Sequence, residues 1–404
     1  MKILLACQTA TNKGDRAIAE YLITALTAQG HEVILSTTRP ALWEDYKAEG
    51  VSVIPMGYRS LYRNIKRAFA WKLARAFHRF VYDPLLFASL LSQNGKHRFC
   101  SRVSGAFIAA VREADLVIVT GGHHITTIRE KNALFQFTYD IGLVSLYAKR
   151  YVLWAQTIGP LEFTSASAKS FIERIIRKAD KVFIRDENSR TCLENLYGKF
   201  DNLSKTYDTV FGYGSLCFPA VSEREKKVGI AVFNGLKKAF HTYDTLAQML
   251  DFYAARDYEI EFFRMEYDDF ELESIRQITS RMKQKADVRI HPFLTTTIEH
   301  LREAASCRCF IGYKTHSVIM ALATATPLIA IAYHEKTADF MKDFDLADYV
   351  IPDMELDYKK AEDCMISMED HLESIQQKQI AVARRIAETI RKDLSDTVND
   401  ADNV

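Results

Sequence analysis

Short, uninterrupted apolar runs alternate with amphipathic segments along nearly the whole chain, and nothing else in the sequence constrains the fold as strongly. The runs fall at residues 3–6, 33–36, 116–120, 151–155, 182–184, 228–233, 260–263, 309–311 and 328–332. Val, Ile and Leu follow one another there without alternating with polar residues. This suits strands buried on both faces of a parallel sheet. Patterns of helical period lie between most of the runs. The first covers residues 15–29 and stops at Gly30, and the last covers about 357–391. Strands alternating with helices predict a doubly wound α/β architecture.

At 404 residues the chain is long enough for two domains, each burying its own core. The break is expected within residues 212–227. Gly212, Gly214 and Pro219 fall there, followed by the charged run Glu223, Arg224, Glu225, Lys226 and Lys227, and the strand–helix series then restarts at Val228. This predicts one Rossmann-like domain over 1–220 and a second over 221–404, the latter ending in helix.

Charge and cysteine usage exclude several classes. With 53 Lys+Arg against 52 Asp+Glu, the net charge of +1 is not that of a globally basic nucleic-acid binder or of an acidic, solvated polymer. The seven cysteines are odd in number, scattered, and contain no Cys-x-x-Cys pair. Cys307 and Cys309 share a strand face, but no second Cys/His pair completes a metal set. Neither a disulfide framework nor a zinc site is expected, and a reducing cytoplasm fits better. The opening apolar run is too short for a signal peptide and reads as a first strand. No stretch reaches the ~18–20 apolar residues that span a bilayer.

In open α/β sheets, ligands bind beyond the carboxyl ends of the strands. The polar and glycine-containing segments at residues 9–15, 121–127, 156–160, 185–186, 234–235, 312–316 and 333–336 all follow predicted strands. Sites after strands in both halves imply a cleft between two facing domains. Asn12-Lys13-Gly14-Asp15 opens a helix and suits an anion, although Asp15 serves equally as a helix N-cap. Gly121-Gly122-His123-His124 permits a tight turn and close backbone approach to a ligand, or is merely a glycine turn with polar side chains. Arg185 can grip a carboxylate or phosphate with two parallel hydrogen bonds, or brace Asp186 or Glu187, and Asp186 could cap the next helix. Lys314 and His316, two residues apart in one turn, can converge on one anion, whereas a histidine at a helix start is often simply a polar surface residue. No G-x-G-x-x-G or Walker pattern occurs.

Residues 50–82 contain no Asp or Glu. They carry Arg59, Arg63, Lys66, Arg67, Lys72, Arg75 and Arg79 among Leu61, Tyr62, Ile65, Phe69, Trp71, Leu73, Phe77 and Phe80. Such a pattern suits a helix lying on an anionic membrane. It equally suits a surface helix whose apolar face covers the first domain.

Taken in order, these segments resemble the polysaccharide pyruvyl transferase family. The family's Asn-x-Gly-Asp-x-Ala is matched by Asn12, Gly14, Asp15 and Ala17, and its strand leading to a glycine cluster by residues 115–122. Its Gln-x-Ile-Gly-Pro is matched by Gln156, Ile158, Gly159 and Pro160, and its Arg-Asp-x-x-Ser by Arg185, Asp186 and Ser189. Its late Gly-x-Arg-x-His, Pro and Tyr-x-x-Lys resemble Gly312, Lys314, His316, Pro327, Tyr333 and Lys336. The likeness covers roughly 1–40 and 110–350. Lys314 stands where the family has Arg, and His123 stands where its glycines continue. A basic insertion at about 55–105 lies in a variable part.

The resemblance implies a GT-B-like fold: two facing Rossmann-like domains with parallel sheets and an interdomain cleft. It also implies pyruvate transfer from phosphoenolpyruvate to two hydroxyls of one sugar, giving a pyruvate ketal in cell-surface or capsular polysaccharide biosynthesis. Phosphoenolpyruvate is then the donor substrate, with no cofactor and no metal required. The acceptor is a sugar, expected in lipid-linked form, and nucleic acid is not a partner. On this reading His316 is the general acid and Asp15 the base. Arg185, Lys314, Asn12, Gly14, Gly121, Gly122, His123, Gln156, Tyr333 and Lys336 contact substrate. The expected place is cytoplasmic, with peripheral contact at the inner membrane face through residues 58–80. The same fold would serve a glycosyltransferase using a nucleotide sugar or a non-catalytic glycan-binding member.

Overall fold

In the computed structural model, every apolar run that falls among the described residues is a strand, and the strands assemble into two parallel sheets. Residues 1–9, 11–59, 65–92, 98–128, 130–216, 218–232, 240–267, 269–333 and 335–402 are described. The expected polar segment at 234–235 and the end of the run at 228–233 lie outside them.

The first sheet comprises β1 (Lys2–Gln8), β2 (Glu32–Thr37), β3 (Ser52–Pro55), β4 (Leu116–Val119), β5 (Gly122–Ile125), β6 (Tyr151–Ile158), β7 (Lys181–Ile184) and β8 (Leu203–Lys205). Its order is β3-β2-β1-β4-β6-β7-β8, with β5 added against β6. All these pairings are parallel, as crossover helices require. β4 and β6 are buried along their entire length, which explains their unbroken apolar sequences.

The second sheet comprises β9 (Glu225–Ala231), β10 (Glu259–Phe263), β11 (Val288–His291), β12 (Cys307–Gly312), β13 (Leu328–Ala332) and β14 (Val350–Pro352). Its order is β11-β10-β9-β12-β13-β14, again parallel throughout.

The chain divides into two compact units that are not simple consecutive halves. One holds Met1–Ala10, Leu22–Asp208 and Asp393–Val404, and the other holds Thr11–Tyr21 and Thr209–Lys392. The loop after β1 and the first turns of helix Lys13–Ala28 therefore belong with the second sheet. The backbone explains why. Lys13 N donates to Met265 O at 2.8 Å and Tyr267 N donates to Thr11 O at 2.9 Å, so residues 11–13 run antiparallel to the segment after β10.

The glycine pair was expected to form one tight turn. Instead the chain bends at Gly121, and Gly122 already begins β5. The charged run at 223–227 leads directly into the second sheet, because β9 begins at Glu225. Lys227 lies in β9 fully buried, with Nζ 2.8 Å from Glu261 Oε2 and also paired with Glu303.

Candidate functional site

At the carboxyl ends of β10 and β12, motifs separated by some three hundred residues meet within the second unit. Helix Lys13–Ala28 starts two residues earlier than its apolar pattern indicates because Asn12 caps it. Asn12 Oδ1 accepts from Gly14 N at 2.9 Å and Asp15 N at 3.3 Å. The capping role considered for Asp15 thus belongs to Asn12, and Asp15 sits half-buried in the first helical turn. The other end of the Asn12 amide, Nδ2, donates to Glu266 Oε1 at 2.8 Å.

The same Glu266 oxygen accepts from Lys314 Nζ at 2.7 Å, and Glu271 Oε1 lies 3.2 Å from that ammonium. Lys314 is thus a buried cation held between two carboxylates, at the N-cap of helix Thr315–Ala323, which no side chain caps. Glu271 also accepts Met265 N at 2.8 Å and Glu266 N at 3.0 Å. Burial pushes the Glu271 carboxyl up, while Lys314 and the hydrogen bond from Glu266 hold it back. Neither Glu266 nor Glu271 was singled out from sequence. A signal did exist, because residues 264–271 are a polar segment following a predicted strand.

His316, half-buried in the first turn of helix Thr315–Ala323, lies against the backbone of Gly14. A Cβ built on Gly14 would fall 2.0 Å from His316 Cγ. Only glycine admits the imidazole at that place. Asn12, Gly14, Lys314 and His316 are thereby brought together. The N-terminal ends of both helices bear on this cluster, and their partial positive charge favours an anion. Of the remaining pair, Tyr333 packs edge-on to Tyr313 with ring centroids 6.4 Å apart, and Lys336 lies in helix Glu335–Asp343. That helix is tied to Thr315 by the Thr315 Oγ1–Thr337 Oγ1 hydrogen bond of 3.0 Å.

The strap that holds the Asn12 loop is a buried lysine. Lys13 Nζ donates to Phe293 O at 3.0 Å and Thr295 O at 2.5 Å. Burial lowers the Lys13 ammonium to about 8. Two turns on, buried Glu20 pairs with Arg16 at 2.6 Å and accepts Thr297 N at 2.6 Å. Together these bonds fix the first helix to the loop leading from β11 into helix Thr297–Ser306.

The other expected residues lie in the first unit, where they form a second network. Gln156 is fully buried, and its Nε2 donates to Thr120 O at 2.7 Å and Trp154 O at 3.0 Å, holding the end of β4 to β6. His123 hydrogen-bonds Gly159 O across the β5–β6 end. Gly159 has φ +100°, and a Cβ there would meet Cys192 Sγ at 2.6 Å, which explains the glycine. The next histidine, His124, is buried against Phe137. Gly122 would meet the His124 ring at 2.4 Å if it carried a Cβ, and Gly121 occupies the preceding bend.

Arg185 donates through Nε to Thr157 Oγ1 at 2.9 Å, and its Nη1 pairs with the fully buried Asp208. The brace expected with Asp186 or Glu187 is therefore made with Asp208. Asp186 does cap its helix, accepting Ser189 N at 2.8 Å, and it also accepts from Thr157 Oγ1 at 2.9 Å. Ser189 Oγ in turn accepts from Ile158 N at 2.8 Å. The Arg-Asp-x-x-Ser pattern thus fastens β7 and its following helix to the end of β6.

Comparison with known proteins bears on the family and the fold. The family of polysaccharide pyruvyl transferases matches residues 12–335. Among solved structures, HepE of Anabaena in complex with UDP-glucose superposes with a TM-score of 0.59 at 11% identity, over 99% of this chain and 100% of that one. A glycosyltransferase of Rickettsia africae gives 0.55 at 12%, over 99% and 98%. CalG4, the calicheamicin glycosyltransferase, gives 0.54 at 13%, over 99% and 98%. These likenesses show the fold, which is GT-B-like. No curated protein sequence matches the chain significantly. With most of its length matched by one family, from the Asn12 cap to the start of the helix after Tyr333, the chain belongs to the polysaccharide pyruvyl transferases.

Proposed function

We propose that the protein transfers a pyruvate unit from phosphoenolpyruvate to two hydroxyls of one sugar, releasing phosphate and leaving a pyruvate ketal on a cell-surface or capsular polysaccharide precursor. The observation that carries this reading is the approach of His316 to Gly14, beside two helix N-termini. A trianionic donor is favoured at such ends. His316 then gives a proton to the donor's methylene carbon, leaving the adjacent carbon electrophilic. One sugar hydroxyl adds to that carbon and its proton passes to Asp15. The second hydroxyl displaces phosphate from the same carbon, loses its proton and closes the ring. The balance is one donor and one diol in, one ketal and one phosphate out.

Lys314, already held by Glu266 and Glu271, contributes position more than free charge. Arg185, Gln156 and His123 hold the strand ends of the first sheet in the same sense. The acceptor is read as lipid-linked and the site of action as cytoplasmic.

The test incubates purified protein with phosphoenolpyruvate and a panel of lipid-linked and free sugars, following phosphate release and acceptor mass. Acceptor gaining one pyruvylidene unit per phosphate released is the expected result. Transfer that requires a nucleotide sugar, or glycan binding with no turnover, overturns the reading.

A further inference from the structure

The helix over Ala68–Phe77 has no buried residue at all. A surface helix that covered the core with its apolar face would bury that face. Here the apolar face points outward. Phe69 is 75% exposed, Leu73 57% and Phe77 54%, and the spacing of four residues places all three on one side. The stripe continues across a wider π-type turn, His78–Tyr82, with Phe80 at 73% exposure. That turn is the anchor. Its His78 and Tyr82 face inward and are buried, and Tyr58 donates to Asp83 at 3.0 Å just beyond it.

Charge is as one-sided as exposure. Lys72, Arg75 and Arg79 recur at the spacing of a second helical face beside the apolar stripe, and all three are exposed. Arg75 lies over the Trp71 ring at 5.2 Å. From Gly50 to Arg112 the only acidic residue is Asp83, against Arg59, Arg63, Lys66, Arg67, Lys72, Arg75, Arg79, Lys96, Arg98, Arg102 and Arg112. Arg63, Lys96 and residues 60–64 as a whole lie outside the described residues. Asp83 itself faces inward toward Tyr58 and His78.

We infer that this helix and turn dock the protein on an anionic lipid bilayer surface, with Phe69, Leu73, Phe77 and Phe80 entering the interface and Lys72, Arg75 and Arg79 meeting the headgroups. An aromatic and aliphatic stripe flanked by cations, without acids, is the chemistry that such a surface rewards. No described helix is long and apolar enough to cross a membrane, so the contact is peripheral.

The test uses the full-length protein and vesicles of phosphatidylcholine with or without phosphatidylglycerol. Flotation should follow phosphatidylglycerol content and fall as salt is raised. The variant K72A/R75A/R79A should bind about fivefold more weakly per cation removed, the change that about 1 kcal/mol per basic residue converts to. The variant F69S/L73S/F77S should lose flotation while keeping its thermal midpoint, because those side chains contact little of the fold. Tryptophan emission gives a local readout. Of the three tryptophans Trp43 and Trp154 are fully buried, so a blue shift on adding vesicles reports Trp71. Absence of flotation on phosphatidylglycerol at low salt overturns the inference, as does equal binding to neutral vesicles. A dimer in solution that F69S/L73S/F77S dissociates, without vesicle binding, assigns the face to a second copy instead. None of these readouts involves pyruvyl transfer, so failure here leaves the proposed activity standing, and the reverse.

Discussion

The ring of His316 occupies the space where Gly14 would carry a side chain, with the nearest ring atom 2.0 Å from the position of a Cβ. The conflict is with Cγ, the ring atom nearest its own backbone, so a small rotamer change cannot relieve it. Gly14→Ala should therefore displace His316 from its place even though alanine is the better helix former by about 1 kcal/mol. Turnover should fall by about tenfold or more, since catalytic geometry tolerates little misplacement. Far-UV circular dichroism should not change. Parent-like turnover in Gly14→Ala would show that His316 is not where the chemistry happens.

The two groups assigned to proton transfer should separate from those that bind. His316→Ala should lower turnover by about 10²–10⁴-fold, with a smaller change in the Michaelis constant for phosphoenolpyruvate. Because Asn12 and not Asp15 caps the helix, Asp15→Asn should leave stability within about 1 kcal/mol while lowering turnover. Steady-state kinetics of both variants, beside their thermal midpoints, check this.

Lys314 lies between the buried Glu271 carboxylate and the partly exposed one of Glu266, so its removal has a predictable pH signature. Lys314→Met leaves Glu271 without its cation and should cost about 3–5 kcal/mol near neutral pH. The sign follows from the raised Glu271 carboxyl. A folded carboxyl that holds its proton more tightly than the unfolded one is destabilising when ionised, and this penalty is absent at low pH and appears as pH rises. The deficit of Lys314→Met should thus shrink on acidification. Lys314→Arg should stay within about 1 kcal/mol of the parent, because a guanidinium fork can bridge Glu266 and Glu271 together. Denaturant melts at several pH values decide both.

The interior strands were legible from sequence because a strand buried on both faces must be apolar throughout, as β4 and β6 are. The short edge strands were not. β11 has three of its four residues exposed, and β3 ends in Pro55, so neither carries the pattern of a strand with two neighbours. The motif residues were legible as strand-end polar segments, but their partners were not. Glu266, Glu271 and Asp208 look like ordinary surface acids in a linear reading. Only the fold brings the first two onto Lys314 and the third onto Arg185. Lys227 is a further case, since nothing in a charged run marks the lysine that β9 buries against Glu261.

Asp140 is fully buried and accepts from Gly57 N at 2.9 Å and Tyr58 N at 2.7 Å. Burial raises its carboxyl to about 7, and the two backbone hydrogen bonds only partly offset this. The folded state therefore holds a proton that the unfolded chain releases near pH 4, and stability should decline as pH rises from about 4 to about 7. Across that window the contribution amounts to at most about 4 kcal/mol. Asp140→Asn keeps an acceptor for one of the two amides and cannot ionise. Its stability should be flatter with pH over the same window, and urea midpoints from acid to neutral pH measure the difference.

Arg185 was expected from sequence to grip the donor, which would make its loss a defect of binding. The structure gives it a different first duty. Its Nε and Nη1 are engaged with Thr157 and with Asp208, whose side chain is wholly inaccessible to solvent. Arg185→Ala leaves that buried carboxylate without its cation, and the loss of one partner from a buried pair costs about 3–5 kcal/mol. The same change removes the hydrogen bond that Thr157 Oγ1 accepts, leaving the one it donates to Asp186 at the start of helix Glu187–Tyr197. The double variant R185A/D208N should recover a large part of the lost stability, because no charge is then stranded. If Arg185 acts mainly through this brace, R185A/D208N should also recover activity in proportion. If its guanidinium contacts phosphoenolpyruvate, stability should return while the Michaelis constant for the donor stays raised. Thermal melts paired with donor titrations of the two variants separate these outcomes.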